Sequence, residues 1–499
     1  MVFHPASGVA NRLYRAAQVR ELDRIAIEGF GIPGITLMER AGEAAYATLR
    51  VHWPEARRIT VLCGTGNNGG DGYILARLAH DDKREVTVLQ AGDATSLHGD
   101  ARTAADRLRK AGLEAGVFDP VKLAGTDVLV DALLGTGLDR EVRDDWRDII
   151  NHINAASVPV LSIDIPSGLN ADSGRVMGAA VRADVTVTFI GMKQGLLTGA
   201  GGDHTGAIVF CDLELPEAVW SGMEPVAVRI DMQGMAHLLS PRQRSAHKGD
   251  FGHVLVIGGD HGYAGAVRMA GEAAARVGAG LVSLATRASH APVISLSRPE
   301  IMSHGVERPD QLSPLLRRTS VLAIGPGLGQ SPWAQALFAK VLESDRPLVV
   351  DADALNLLAL DPVASTNWIL TPHPGEAARL LGCTIAMIQV DRFAAASAIQ
   401  QRYGGVVVLK GNGTVVVDAT GHHAVCAAGN PGMASGGMGD VLTGVIAGLL
   451  AQGLAPGDAA RAGVCLHAAA ADEAAQAGER GLLAGDLMPY LRRLANPIP

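Results

Sequence analysis

Residues 430–444, NPGMASGGMGDVLTG, run a series of small residues into an acid at the head of an apolar helical pattern. Gly436, Gly437 and Gly439 allow a tight turn whose N–H groups face outward. The helix expected beyond them, over residues 441–451, aims its positive end at the same place. Such a loop suits a phosphate, with Asp440 placed to take a proton from a hydroxyl that attacks it. A plain strand-to-helix turn with an Asp cap fits the same letters.

A second chemical stretch is GTGNNGGDG, residues 64–72. Gly64, Gly66 and Gly69 satisfy GxGxxG, a weak signal alone. Asn67, Asn68 and Asp71 add two amides and a carboxylate that a phosphate loop does not need. They point to oxygen ligation of a cation, or to hydrogen bonds with sugar and amide groups. VDALLGTGLDRE then places Asp131 at a strand end, before a Gly-rich loop over residues 135–141. DIPSGL places Asp164 and Ser167 at the next strand end. Each Asp alone is equally a cap or turn residue. Three such clusters on one sheet edge line one crevice.

The second half adds four more stretches. HKGDFGHVLVIGGDHGYAGA leads a strand into glycines, and IGPGLG does so again. LTPHPGE fixes His373 between two prolines. LKGNGTVV sets Lys410 at a strand end before what also reads as a hairpin turn. His422 and His423 are adjacent, diverge on a strand and read as a surface turn.

These residues need a scaffold that brings strand ends together. Residues 18–28 and 36–52 carry apolar positions at helical spacing. From residue 59, short apolar strands alternate with Gly-rich loops and helices, and after residue 253 the alternation restarts. That rhythm predicts an α/β chain with mostly parallel sheets covered on both faces. A Pro- and Glu-marked stretch at residues 215–225 predicts a boundary, giving domains at 1–225 and 226–499. The last ~60 residues are Ala-rich and read as helical.

Composition narrows the function. At 499 residues the chain needs more than one domain, and a formal charge of −8 argues against a nucleic-acid surface. Its five cysteines form no CxxC, which suits reduced thiols in a cytosol. The opening MVFHPASG lacks the features of a signal peptide, and the greasiest run, residues 441–450, is too short to span a bilayer.

GTGNNGGDG, VDALLGTGL and DIPSGL resemble the NAD(P)H-hydrate epimerase domain over about residues 10–220. The resemblance implies a Rossmann-like fold and epimerisation at C6 of the hydrated nicotinamide ring. It implies potassium on Asn68, Asp131 and Ser167. Substrate contacts fall on Asn67, Asn68, Gly69, Gly70 and Asp71, on Gly135, Thr136, Gly137, Leu138, Asp139, Arg140 and Glu141, and on Asp164. Epimerisation needs a carboxylate to move a proton while the C6 substituent leaves and returns, and Asp164 is expected in that role.

HKGxxG, IGPGLG, DADALN, TPHPGE, KGxGT and NPGMAxGGxGD, in that order, resemble the NAD(P)H-hydrate dehydratase domain, a ribokinase-like fold, over about residues 230–495. The resemblance implies ADP on Lys410, Gly411, Asn412, Gly413, Thr414 and Gly439. It places the hydrate against Ala266, Gly327, His373 and Asp440, with Asp440 as general base and Mg2+ screening the phosphates. Met438 departs from the small hydroxyl residue, usually Thr, expected there. The reading is a two-domain repair enzyme that acts on both epimers of hydrated NADH and NADPH, cytoplasmic and homo-oligomeric through its Ala-rich helices. A ribokinase-like kinase of a vitamin precursor, and a non-catalytic binding module, are the alternatives.

Overall fold

The computed structural model describes residues 8–496, and the chain divides into two compact units, Met1–Val228 and Arg229–Pro499. Residues 1–7, on which most of the signal-peptide expectation rests, lie outside the described residues.

The first unit is built on a seven-stranded parallel sheet. Its spatial order is Ala115–Val117, Glu85–Gln90, Arg58–Cys63, Val128–Ala132, Val160–Ile163, Val185–Phe189 and Ala207–Cys211. The inner strands are apolar along their whole length because helices cover both faces; Val128–Ala132 is buried at every position. The chain leaves Arg58–Cys63 towards one edge, then returns to lay Val128–Ala132 on its other side. That reversal opens a crevice at the carboxyl ends of those two strands. The backbones there nearly touch: a Cβ on Gly64 would sit 1.9 Å from the Leu133 carbonyl oxygen.

Two features depart from the sequence reading. NNGGD is the first turns of a helix, Asn67–Asp81, and not a loop. Gly69 and Gly72 lower helix propensity, which is why the stretch reads as a loop. They are needed because a Cβ would fall 2.1 Å from the Gly64 carbonyl oxygen and 2.6 Å from Ala132 Cβ, respectively. Second, a short strand in the lead-in, Arg12–Tyr14, pairs Leu13 with Ala227 on one side and Met192 on the other. Three residues are too few for a visible period.

The second unit repeats the plan with different letters. His253–Ile257 pairs in parallel with Leu281–Thr286 and with Val321–Ile324, again with a chain reversal between them. Leu348–Val350, Trp368–Leu370 and Val406–Leu409 extend the parallel series. Thr414–Val417 turns back on Val406–Leu409, so KGNGT is the expected hairpin. His422 is exposed in the next turn, while His423 opens the strand His423–Cys426 and meets Ser397 Oγ at 2.8 Å.

The helix Met438–Ala451 begins three residues before the expected 441, so Asp440 lies in its first turn and is not the cap. Gly437, at φ 93°, supplies the left-handed turn that starts it. This helix packs on Ala264–Arg276 almost backbone to backbone: a Cβ on Gly444 would sit 2.0 Å from the Ala270 carbonyl oxygen. Gly444→Ala is therefore expected to destabilise the second unit by about 1–3 kcal/mol through overpacking. A lower denaturation midpoint in urea would show it, with Gly485→Ala, at an open position without a left-handed backbone, as the tolerant comparison.

The Ala-rich helix Pro456–Ala474 is buried inside this unit, where Ala459, Ala460, Ala470 and Ala471 are fully covered. It does not offer the shared outer surface expected of it. Its small side chains serve close packing, with Gly463 facing Ile446. No helix among the described residues is long and apolar enough to cross a membrane.

Candidate active sites

The crevice of the first unit is a cavity of about 1110 Å3. It gathers Asn67, Asn68 and Asp71 from the Asn67–Asp81 helix, Asp164, and Gly135, Thr136, Gly137, Leu138, Asp139, Arg140 and Glu141. Gly69 and Gly70 do not line it; they pack on Gly64 and Met38. Asp131 and Ser167 are fully buried below its wall. Ser167 Oγ donates to Asp131 Oδ1 at 2.5 Å and accepts from the Leu134 amide at 2.8 Å, which ties two strand ends together.

Asn68 tests the cation expectation. It is buried, yet neither its amide oxygen nor its amide nitrogen has a hydrogen-bond partner. Gly135 lies against it: a Cβ there would sit 3.3 Å from Asn68 Cβ. An unpaired buried amide is costly unless something else satisfies it. With a carboxylate and a hydroxyl close by in the fold, the donors are all oxygens, the set a hard cation takes. The residues present fit such an ion.

Asp164 sits just beyond the strand Val160–Ile163 with φ at 66°, a left-handed conformation that costs a non-glycine residue about 1–3 kcal/mol. Its carboxylate accepts from Lys193, whose ammonium is fully buried and also donates to Thr188 Oγ1 (2.9 Å) and the Phe189 carbonyl (3.1 Å). Asp71 and Asp23 share the neighbourhood. Burial pushes Asp23 up to about 6, against the pull of Lys193 and helped by Asp164. Burial, then Asp164 and Asp23, raise Asp71 well above the ordinary carboxylate range. Asp164, ion-paired to Lys193, and the proton-holding Asp71 therefore face one cavity, the pairing that acid–base chemistry uses. Lys193 and Asp23 escaped the sequence reading because neither sits in a glycine motif. The one faint signal was a charged residue in a strand-end GMK.

In the second unit, the Lys410 ammonium holds Asp351 Oδ1 at 2.6 Å and lies 3.7 Å from Glu376 Oε2. Thr443 Oγ1 donates to the other Asp351 oxygen at 2.7 Å. A Cβ on Gly439 would sit 3.4 Å from Lys410 Nζ and 3.6 Å from Asp351 Oδ2. The KGNGT turn and the Gly-rich loop, 29 residues apart at Lys410 and Gly439, thus meet. Asp440 shares this web: burial, then repulsion from Asp351, raise it to about 7 despite Lys410. Burial likewise takes Glu376 to about 7. Burial works against the Lys410 charge, but Asp351 and Glu376 outweigh it and its pKa is raised.

His373 caps the helix Pro374–Leu381, its Nδ1 accepting from the Gly375 amide at 2.9 Å. That bond assigns the neutral ring's proton to Nε2, which lies 3.3 Å from Glu376 Oε1. Burial and then Lys410 lower its pKa, so the ring is neutral near pH 7. Gly327 and Ala266 adjoin each other, with a Cβ on Gly327 falling 3.1 Å from Ala266 Cβ. Met438 is buried in the hydrophobic core, so its side chain is not presented to a phosphate. DADALN and TPHPGE were read as motifs, but the partnership of Asp351 and Glu376 with Lys410 was not visible. It joins three strand ends that are distant in sequence.

The comparisons with known proteins agree across both units. Residues 254–493 match the NAD(P)H-hydrate dehydratase family, and residues 34–195 match the YjeF-related protein N-terminus. A bifunctional NAD(P)H-hydrate repair enzyme of Coxiella burnetii is 52% identical over 97% of this chain and 99% of its own length. Its counterpart in Escherichia coli K12 is 47% identical over 98% of this chain and 95% of its own length. A ribokinase-like superfamily protein from Enterococcus faecalis is similar in structure, with TM-score 0.50 and 30% identity over 54% of this chain and 94% of that one.

Proposed function

The chain belongs to the bifunctional NAD(P)H-hydrate repair enzymes, and from that premise we propose how its two sites divide the work. It epimerises the R and S forms of hydrated NAD(P)H, and it dehydrates the S form back to NAD(P)H at the expense of ADP, releasing AMP and phosphate. The observation that carries this reading is the meeting of Lys410, Gly439, Asp351 and Asp440 at one helix mouth. A nucleotide phosphate and an acceptor hydroxyl would both be served there.

In the second site Asp440 removes the proton from the C6 hydroxyl as its oxygen attacks the terminal phosphoryl of ADP, and AMP leaves. The phosphate ester then departs, a far better leaving group than hydroxide, and loss of the ring proton restores the dihydropyridine. Lys410 and the helix N-terminus face the charge that builds on the transferring group. His373, Ala266 and Gly327 are assigned to the hydrate. Mg2+, which binds largely through substrate phosphates, supplies further charge neutralisation when present. ADP contacts are assigned to Lys410, Gly411, Asn412, Gly413, Thr414 and Gly439.

In the first site Asp164, ion-paired with Lys193, takes a proton from the water that re-adds at C6. The buried carboxyl of Asp71 supplies one to the departing hydroxyl. Asn67, Asn68, Asp71 and the loop 135–141 line the substrate cavity. Asn68, Asp131 and Ser167 would hold potassium, which when bound supplies a fixed charge beside the ring. The five free cysteines support a cytosolic setting. The exposed apolar side chains of Ile385, Met387 and Val390 on one short helix support self-association, to be read by light scattering.

Incubation with mixed hydrates, ADP and Mg2+ tests the whole reading: the reduced-nicotinamide absorbance should recover completely. Recovery of neither epimer would refute it, and a stable phosphorylated product would mark a kinase instead. The base also predicts a pH dependence. With Asp440 at about 7, it is protonated and idle below that pH. Dehydration kcat/KM should therefore rise with pH to a plateau, with roughly a tenth of the plateau value at pH 6. A flat profile between pH 5.5 and 8 would exclude Asp440 as the base.

A further inference from the structure

The KGNGT turn is wrapped around a buried cation. Arg392 opens the helix Arg392–Tyr403 and is only 1% exposed. Its Nη2 donates to the carbonyls of Leu409 (3.2 Å), Lys410 (3.1 Å) and Gly413 (3.5 Å), and its Nη1 to Gln389 Oε1 (3.1 Å). Gly411, at φ 137°, lies flat against the same group: a Cβ there would sit 3.0 Å from both terminal nitrogens. Burying a guanidinium is expensive, and burial lowers its pKa to about 10. A stable hairpin does not need such a residue; a two-residue turn with glycine suffices.

We propose that Arg392 is a positioning residue for the nucleoside diphosphate: its guanidinium holds the turn at residues 410–414 in the form that receives the phosphates. Two consequences follow from the geometry. In a trans peptide the C=O and N–H point in opposite directions. Drawing the Lys410 carbonyl onto Arg392 therefore turns the Gly411 N–H away from it, towards the open side of the turn. The buried charge also sets a positive potential under the loop that solvent does not screen, which favours an anion above it. Arg392 makes no contact with the ligand in this scheme; it acts through the loop. The inference rests on assigning residues 410–414 to ADP.

The test is Arg392→Lys, which keeps a charge but loses the planar fork that reaches several carbonyls. Calorimetric titration with ADP, and steady-state dehydration with ADP and hydrate varied separately, are the measurements. We expect Kd and KM for ADP to rise about tenfold, with kcat, KM for the hydrate and epimerisation within about threefold of wild type. An ADP affinity within twofold of wild type overturns the proposal. So does a parallel loss of kcat, hydrate affinity and thermal stability, the mark of a merely structural group. If the Lys variant does not fold, Gln389→Ala decides, since it removes one partner of the guanidinium from an exposed position. A weaker ADP affinity supports positioning, and an unchanged one overturns it. Lys410→Met, run alongside, separates the two assignments. If it leaves ADP binding intact, the loop is not the nucleotide site. If it abolishes binding while Arg392→Lys does not weaken it, only the role of Arg392 falls.

Discussion

Asp440→Asn is expected to lower dehydration of the S hydrate by about two to four orders of magnitude while leaving epimerisation untouched, the range found when a positioned general base is lost. The argument is electrostatic as much as geometric. Asp440 is buried among Asp351, Asp353, Glu376 and Lys410, and burial first, then the surplus of carboxylates over cations, makes its charge expensive. Its proton affinity is thereby tuned to neutral pH, where a base works best. An amide in the same place keeps size and hydrogen bonding but cannot accept the proton. It also relieves repulsion, so the variant should be at least as stable as wild type. Fast dehydration by the Asp440→Asn enzyme, or loss of both activities together, would contradict the assignment. Coupled assays with pure S hydrate and with the R form separate the two steps.

Asp164→Asn is expected to depress epimerisation by a similar factor, with S-hydrate dehydration preserved. This substitution has a structural cost that Asp440→Asn does not. Lys193 is completely buried and its ammonium is shared among Asp164, Thr188 and Phe189. Removing one member of a buried ion pair typically costs about 3–5 kcal/mol because the other charge is stranded. The first unit should melt earlier, and Lys193→Met added to Asp164→Asn should restore much of that loss without restoring epimerisation. If the double variant epimerised at the wild-type rate, Asp164 would be structural only.

Sequence reasoning reached the parallel α/β plan of both units and the strand ends that carry Asp164 and Lys410, because short Val-rich runs alternating with glycines are a direct imprint of a covered sheet. Arg12–Tyr14 and Ala115–Val117 escaped it, since three residues that do not form a buried apolar run, as Leu348–Val350 does, leave no pattern. The start of the Asn67–Asp81 helix was misplaced because its glycines serve packing against Gly64 and Ala132, a demand that local propensity does not express. At the sites, residues inside glycine motifs were legible. Lys193, Asp23 and the guanidinium of Arg392 were not, because each reaches its partners through the folded chain from an element with no motif of its own.

The glycine seam between Met438–Ala451 and Ala264–Arg276 has a consequence for turnover. A contact made by main chain against main chain has no flexible side chains to cushion sliding, so the proton acceptor and the Ala266 wall travel as a single jaw.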